Sequence, residues 1–178
     1  MKIQIISSSI RDGRESHKVA LFLKRWIQEN TDSEVNIIDL KARNYPLFNE
    51  RLSWMKEKHP DALELSEEIQ NADAVIIILP EYNGGYPASL KNVVDVLYAE
   101  WQNKPIGLAP ISSGDMAGAQ VTTQFEFIMY KIGARVVKPR FHVARVQENF
   151  ASLDEIKNLS FYEKNAQNLY NGLKEAQR

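Results

Sequence analysis

Asp73 to Leu79 reads DAVIIIL, and it restricts this chain more than any other segment. A run of branched apolar residues with no polar alternation suits a strand covered on both faces. Such strands belong to parallel sheets between helical layers, so their neighbours must be reached through helical crossovers. Lys2 to Ser7 (KIQIIS), Glu34 to Leu40 (EVNIIDL) and Pro105 to Ile111 (PIGLAPI) read as further strands. A fifth is predicted at Ala134 to Lys138, with Arg140 to Val146 extending or following it. Amphipathic patterns fall between them. Ser16 to Asn30 sets Val19, Ala20, Leu23 and Ile27 on one stripe. Asp61 to Asn71 follows the start signal Pro60, and Pro87 to Tyr98 carries Pro87 at its first position. Ala117 to Ile132 ends before Gly133, a natural C-cap, and Ser152 to Lys174 opens with Ser152 and Glu155 at capping-box spacing. The alternation predicts one α/β domain over residues 1–178. Its architecture is a three-layer sandwich, a five-stranded parallel sheet of order 2-1-3-4-5 with helices on both faces. Arg43 to Pro60 is the least regular stretch, long for a connection of this kind and of the length that carries function or an interface.

Composition removes whole classes of function. Lys and Arg total 22 against 23 Asp and Glu, a net charge of -1, which argues against sequence-independent nucleic-acid binding. The chain has no cysteine, so it has no disulfide scaffold, thiolate metal site or cysteine nucleophile. Ala74 to Pro80, the longest apolar run, is far short of the ~20 residues a membrane span needs. MKIQIISSS turns polar too early for a signal peptide, so the expectation is a cytoplasmic protein without a membrane partner. The sequon Asn158-Leu159-Ser160 is then a chance match. His17, His59 and His142 are scattered without ligand spacing, so no metal site is expected.

In open α/β sheets ligands collect at the carboxyl ends of the strands, and the loops after the first, third and fourth strands are the unusual parts of this sequence. Ser7-Ser8-Ser9-Ile10-Arg11-Asp12-Gly13-Arg14-Glu15-Ser16 leads into a helix N-terminus. Its hydroxyls, guanidinium groups and glycine suit a dianionic phosphate, helped by backbone N–H groups and the helix dipole. Read plainly, it is a polar turn with Ser16 as N-cap. It matches neither a Walker loop nor a G-x-G-x-x-G turn. Pro80-Glu81-Tyr82-Asn83-Gly84-Gly85-Tyr86-Pro87-Ala88-Ser89-Leu90-Lys91-Asn92 follows the most buried strand. Its glycines permit close backbone approach to a flat ligand, and peptide N–H groups with the Asn83 amide suit the edge of a heterocycle. Ser112-Ser113-Gly114-Asp115-Met116-Ala117-Gly118 leaves space and free N–H groups at another helix start. Outside these loops Trp26, Tyr162 and Tyr170 read as packing or surface, and Asp95 and Glu100 as solvated helix charges. Trp54 and Trp101 suit either a subunit interface or partial burial within one chain.

Ser9-Ile10-Arg11 together with Pro80-Glu81-Tyr82-Asn83 and Pro87-Ala88-Ser89-Leu90-Lys91-Asn92 resembles the NAD(P)H-dependent FMN reductase family of the flavodoxin-like superfamily. Quinone, chromate and azo-dye reductases belong to that family, and Tyr45-Pro46-Leu47-Phe48 is also similar to it. The resemblance implies that Ser9 and Arg11 hold the FMN phosphate. Pro80, Glu81, Tyr82, Asn83 and Gly84 would line the isoalloxazine, and Ser112, Ser113 and Gly114 would approach its pyrimidine edge. It also implies a homodimer or homotetramer with flavin sites near the subunit interface. The family's phosphate turn reads roughly S-x-R-x-G-S-x-N, and here Arg14 and Ser16 replace its second Ser and its Asn. Arg14 then adds charge to the FMN phosphate, meets a nucleotide 2′-phosphate, or is solvated, the first ranking ahead.

The implied activity is hydride transfer from NADPH or NADH to FMN, then to a small-molecule acceptor such as a quinone, flavin, azo compound or metal oxyanion, in ping-pong fashion. Tyr82 and Tyr86 are expected to shape the pocket without donating protons. The main alternative is a flavodoxin-type electron carrier without a nicotinamide site, against which stand the near-neutral charge and the two loop arginines. A receiver-like signalling domain would need an acid where Pro80 stands. A flavin-free binding module of the same fold is disfavoured by the intact Pro80 to Asn83.

Overall fold

The computed structural model describes residues 1–43 and 45–177; Asn44, within the irregular stretch noted above, lies outside the described residues. Chain order is β1 (Lys2–Ser7), α1 (Ser16–Asn30), β2 (Glu34–Asp39), α2 (Pro60–Gln70), β3 (Ala74–Pro80), α3 (Ala88–Val96), a single 3-10 turn (Ala99–Trp101), β4 (Pro105–Ile111), α4 (Ala119–Lys131), β5 (Arg135–Arg140), α5 (Val146–Asn149) and α6 (Leu159–Glu175). The five strands form one sheet of order β2-β1-β3-β4-β5, every pairing parallel, as the alternating pattern predicts.

β3 lies at the centre, and every residue from Ala74 to Pro80 is buried. Successive side chains along a strand face opposite ways, so the run divides between two cores. Ala74, Ile76 and Ile78 pack on one face with Val19 and Leu23 of α1 and Leu169 and Leu173 of α6. Val75, Ile77 and Leu79 pack on the other with Leu65 of α2, Leu90 and Val93 of α3 and Phe125 of α4. On the first face Phe150 meets the Tyr162 ring at 4.8 Å and the Phe22 ring at 5.6 Å, edge-on contacts each worth roughly 0.5–1.5 kcal/mol beyond burial.

Several local expectations are corrected. No helix opens at Ser152: Phe150 and Ile156 form an antiparallel bridge, Lys157 N–H donates to the Asn149 carbonyl, and this reversal occupies the residues of the expected capping box. The helix starts at Leu159, after Asn158 in a left-handed conformation. Pro87 is the N-cap of α3 and not its first residue, since its ψ of 140° is extended. Likewise Glu15 precedes α1 and Ser16 is its first residue, with no side-chain cap. Trp101 is wholly buried in its own chain, its Nε1 donating to the Val94 carbonyl at 3.2 Å, so it supplies no interface; Trp54 is exposed, with the Arg51 guanidinium over its ring. Glu100 is not a solvated charge: its carboxylate accepts from Ser66 Oγ at 2.7 Å and from the Tyr98 N–H. Asp95 pairs with Lys91 one turn earlier on α3.

Candidate active site

The carboxyl ends of β1, β3 and β4 come together on one cleft of about 160 Å³. Arg11, Gly13, Arg14, Glu15 and Ser16 form one wall, Pro80, Glu81 and Tyr82 a second, and Ile111, Ser112 and Ser113 a third. Val146 and Gln147 of α5 close the remaining side. Eight residues singled out from the sequence therefore line it: Arg11, Arg14, Ser16, Pro80, Glu81, Tyr82, Ser112 and Ser113. Ser9, Asn83, Gly84 and Gly114 are not among the lining residues: Ser9 is buried, Gly84 is half-buried, and Asn83 and Gly114 are exposed.

Ser9 is fully buried, with its Oγ 2.5 Å from the Tyr82 hydroxyl, and the Arg11 N–H donates to that Oγ at 3.4 Å. This bond ties the loop after β1 to the loop after β3. Arg11 itself is exposed, its guanidinium 5.4 Å from the centre of the Tyr82 ring. Ser8 and Ser89 add a second tie, since Ser8 Oγ donates to the Ile78 carbonyl and Ser89 Oγ to the Ser8 carbonyl, both at 2.6 Å.

The loop after β3 turns between Tyr82 and Gly85, which exchange backbone hydrogen bonds, and Asn83 and Gly84 take the positive φ values the turn requires. Gly84 is held against α4, its carbonyl accepting from Gln124 Nε2 at 2.9 Å. Glu81 is divided in its duties: its N–H donates to the Ile111 carbonyl, while its carboxylate accepts from the Val121 N–H at 3.2 Å, where negative charge suits the start of α4. Tyr86 packs edge-on against Phe125 at 5.4 Å. In the third loop Gly114 accepts from Ser112 Oγ and from the Arg145 N–H.

Arg14 departs from expectation in its surroundings. Its guanidinium grips both carboxylate oxygens of Asp39, at the end of β2, with two contacts of 2.5 Å, and its Nη1 also donates to the Ser9 carbonyl at 2.8 Å. With 13% of its side chain exposed it is not the solvated charge allowed for above. Burial opposes ionisation of Asp39, but the bonds from Arg14 and the Lys41 N–H hold its carboxyl below the usual range. His17 sits beside this pair, Nδ1 2.9 Å from Ser7 Oγ and 4.0 Å from Asp39. Desolvation first, then the Arg14 charge, push the His17 imidazole below its ordinary value, against the pull of Asp39.

Sequence reasoning missed Val146 and Gln147. Val143 lies beside Ile111 in a parallel bridge, and the Val146 N–H donates to the Ser112 carbonyl at 3.1 Å, so the chain after β5 follows β4 into the site. The only local signal is the continuation suggested for Arg140 to Val146. No group of His, Cys, Asp and Glu among the described residues is arranged to hold a metal ion. No described helix is long and apolar enough to cross a membrane.

A five-stranded parallel sheet of this order, with a cleft at the carboxyl ends of β1, β3 and β4, defines a protein of the flavodoxin-like α/β class. The chain belongs to the NADPH-dependent FMN reductase family, whose sequence model matches residues 1–148, and whose cofactors are FMN and a reduced nicotinamide nucleotide. It is 31% identical over 148 residues to a quinone reductase of Escherichia coli, covering 79% of this chain and 77% of that protein. It is 28% identical over 150 residues to an NAD(P)H-dependent FMN reductase of Saccharomyces cerevisiae, covering 77% of this chain and 78% of the other. In fold it matches a flavoenzyme NAD(P)H:(acceptor) oxidoreductase of Paracoccus denitrificans with a TM-score of 0.80, at 21% identity and 98% coverage of both chains.

The residues present fit FMN. Gly13 has a φ of 63° with no atom within 4 Å of where a Cβ would stand, and the N–H groups of Gly13, Arg14 and Glu15 make no backbone hydrogen bond among the described residues. That leaves donors, an exposed Arg11 and the positive end of α1 for a phosphate. Across the cleft, Pro80, Tyr82 and Ser112 form the facing walls.

Proposed function

We propose that this chain takes hydride from NADPH or NADH and delivers it to quinones, free flavin, azo compounds or metal oxyanions by a ping-pong mechanism. The observation that supports this reading is the convergence of the loops after β1, β3 and β4 on one cleft. In this reading a nicotinamide and an acceptor reach the ring through the same cleft, each occupying the space the other needs. FMN, when bound, supplies the hydride-accepting ring that links the two half-reactions.

The roles assigned to the chain's own residues are binding and orientation. Arg11 and the N-terminus of α1 hold the phosphate, and the buried Ser9 fixes their loop through its bond to Tyr82; Arg14 and Ser16 complete that wall. Pro80, Glu81, Tyr82, Asn83 and Gly84 set the ring plane, and Tyr82 and Tyr86 shape the space above it. Ser113 and Gly114 supply N–H and hydroxyl groups to the ring edge, where donors favour negative charge on the reduced cofactor, while Ser112 spends its own N–H on the Val143 carbonyl and its hydroxyl on the Gly114 carbonyl and so shapes the loop. Residues 1–178 are read as one domain working in the cytoplasm as a homodimer or homotetramer, and Leu47 and Trp54, exposed at 86% and 67%, are among the exposed apolar residues available to an interface.

The visible spectrum of the purified protein, with NADPH or NADH added without oxygen, tests the reading. Flavin bands should bleach on addition, and initial-rate plots against NADPH at several quinone concentrations should give parallel lines. Bands that persist with both nucleotides would place the electron-carrier alternative first. Intersecting lines would overturn the ping-pong order.

A further inference from the structure

We propose that Arg14, with Asp39, is a positioning residue: a strut that holds the loop after β1 by its carbonyls and so leaves its N–H groups to an anion. The proposal rests on the reading of that loop as the phosphate site. Direct charge on the phosphate is the role the residue types alone suggest for Arg14, and the geometry argues otherwise. Three of its five N–H donors are committed, two to Asp39 and one to the Ser9 carbonyl. A dianion placed on this guanidinium would also stand against the Asp39 carboxylate, which already balances its charge.

What the pair does to the loop follows from peptide geometry. In a trans peptide the C=O and the following N–H point in opposite directions. Arg14 draws the Ser9 carbonyl toward the end of β2, so the Ile10 N–H is turned the other way. Lys41, two residues beyond Asp39, does the same to the next carbonyl but one. Its Nζ lies 3.4 Å from the Arg11 carbonyl and 2.6 Å from Asp12 Oδ1, which turns the Asp12 N–H away. Neither the Ile10 nor the Asp12 N–H makes a backbone hydrogen bond among the described residues. Asp39 is anchored in turn, with its Oδ1 accepting from the Lys41 N–H at 3.0 Å and the Leu40 N–H bound to the Ser7 carbonyl. The end of β2 thus acts as a fixed post for the loop, and Arg14 is the arm between them.

The two roles of Arg14 predict opposite signs for one substitution. Asp39→Asn removes the carboxylate and leaves the guanidinium. If Arg14 is a strut, the loop loosens and FMN binds about tenfold more weakly, near 1.4 kcal/mol. If Arg14 is a phosphate ligand, the same change frees a cation and FMN binds more tightly.

The experiment is a fluorescence titration of flavin-stripped protein with FMN and with riboflavin, which lacks the phosphate, for the wild type, Asp39→Asn and Arg14→Lys. Far-UV circular dichroism monitors the fold. The strut requires both variants to lose affinity for FMN while riboflavin affinity and the fold stay unchanged, because a lysine keeps the charge without the two-pronged grip. Tighter or unchanged FMN binding in Asp39→Asn overturns it, as does an equal loss for both flavins. Retained FMN affinity in Arg14→Lys also overturns it. A wild type that binds FMN no better than riboflavin removes the phosphate reading of the loop, and the strut with it.

Discussion

Asp39 and His17 carry opposite formal charges when ionised, yet acid weakens the fold through both. The folded His17 is held below its ordinary value near 6.5, so its contribution to stability is complete above that pH and is lost as pH falls through the lowered value. The Asp39 carboxyl is also held low, so its contribution is complete above its ordinary 3.8 and is lost only as pH falls through a still lower value. Two separate acid limbs are expected. Urea unfolding midpoints measured from pH 3 to pH 8 should fall in the wild type below about pH 6.5, while His17→Gln stays flat across that upper window. The string Pro80 to Asn83 was legible because its signal is local. The partner of Arg14 was not, because Asp39 is 25 residues away and meets it only once β1 and β2 pair side by side.

Among the elements, α4 shows how a loop is held open. Gly118 precedes it with a φ of 73°, and a Cβ there would stand 2.8 Å from Pro110 Cβ and 2.9 Å from the Ile111 backbone nitrogen. Gly118→Ala therefore adds backbone strain to a clash with the end of β4, and neither contact can swing aside as a flexible side chain would. A loss of about 1–3 kcal/mol is expected. Thermal unfolding of the variant should register it, and FMN affinity should fall as Ser112 and Ser113 are displaced. Strand and helix order could be read from apolar periodicity because each element buries a face set by its own spacing. The start of α6 could not, since the Phe150–Ile156 bridge that delays it is stabilised by rings of α1 and α6. Val146 and Gln147 escaped for a similar reason: four helical residues leave no periodic trace, and pairing beside β4 brings them to the cleft.

For the molecule as a whole, the cleft is assembled from segments that lead into different layers. The loop after β1 enters α1 on one face of the sheet, whereas those after β3 and β4 enter α3 and α4 on the other. A ligand there binds the assembled fold and not the unfolded chain. FMN at a hundredfold excess over its Kd should therefore add about 2.7 kcal/mol of stability, and each kcal/mol raises the Tm of a chain this size by roughly 2–4 °C. Differential scanning calorimetry with FMN and with riboflavin at equal concentrations should show a clear rise with the first and a smaller one with the second. Fold class was the most legible property of all, because the β3 run and the alternation around it left few other arrangements.

The division of the interior by the sheet also bears on how such a protein changes over time. Each of the two apolar cores sets the tilt and height of the helices on its own side, and those helices carry the walls of the cleft. A methyl group gained or lost beneath α1, or beneath α3 and α4, moves one wall against another while every residue facing the ligand keeps its identity. Lineages can thus drift in which acceptors they admit through substitutions far from the cleft, without any cleft residue changing.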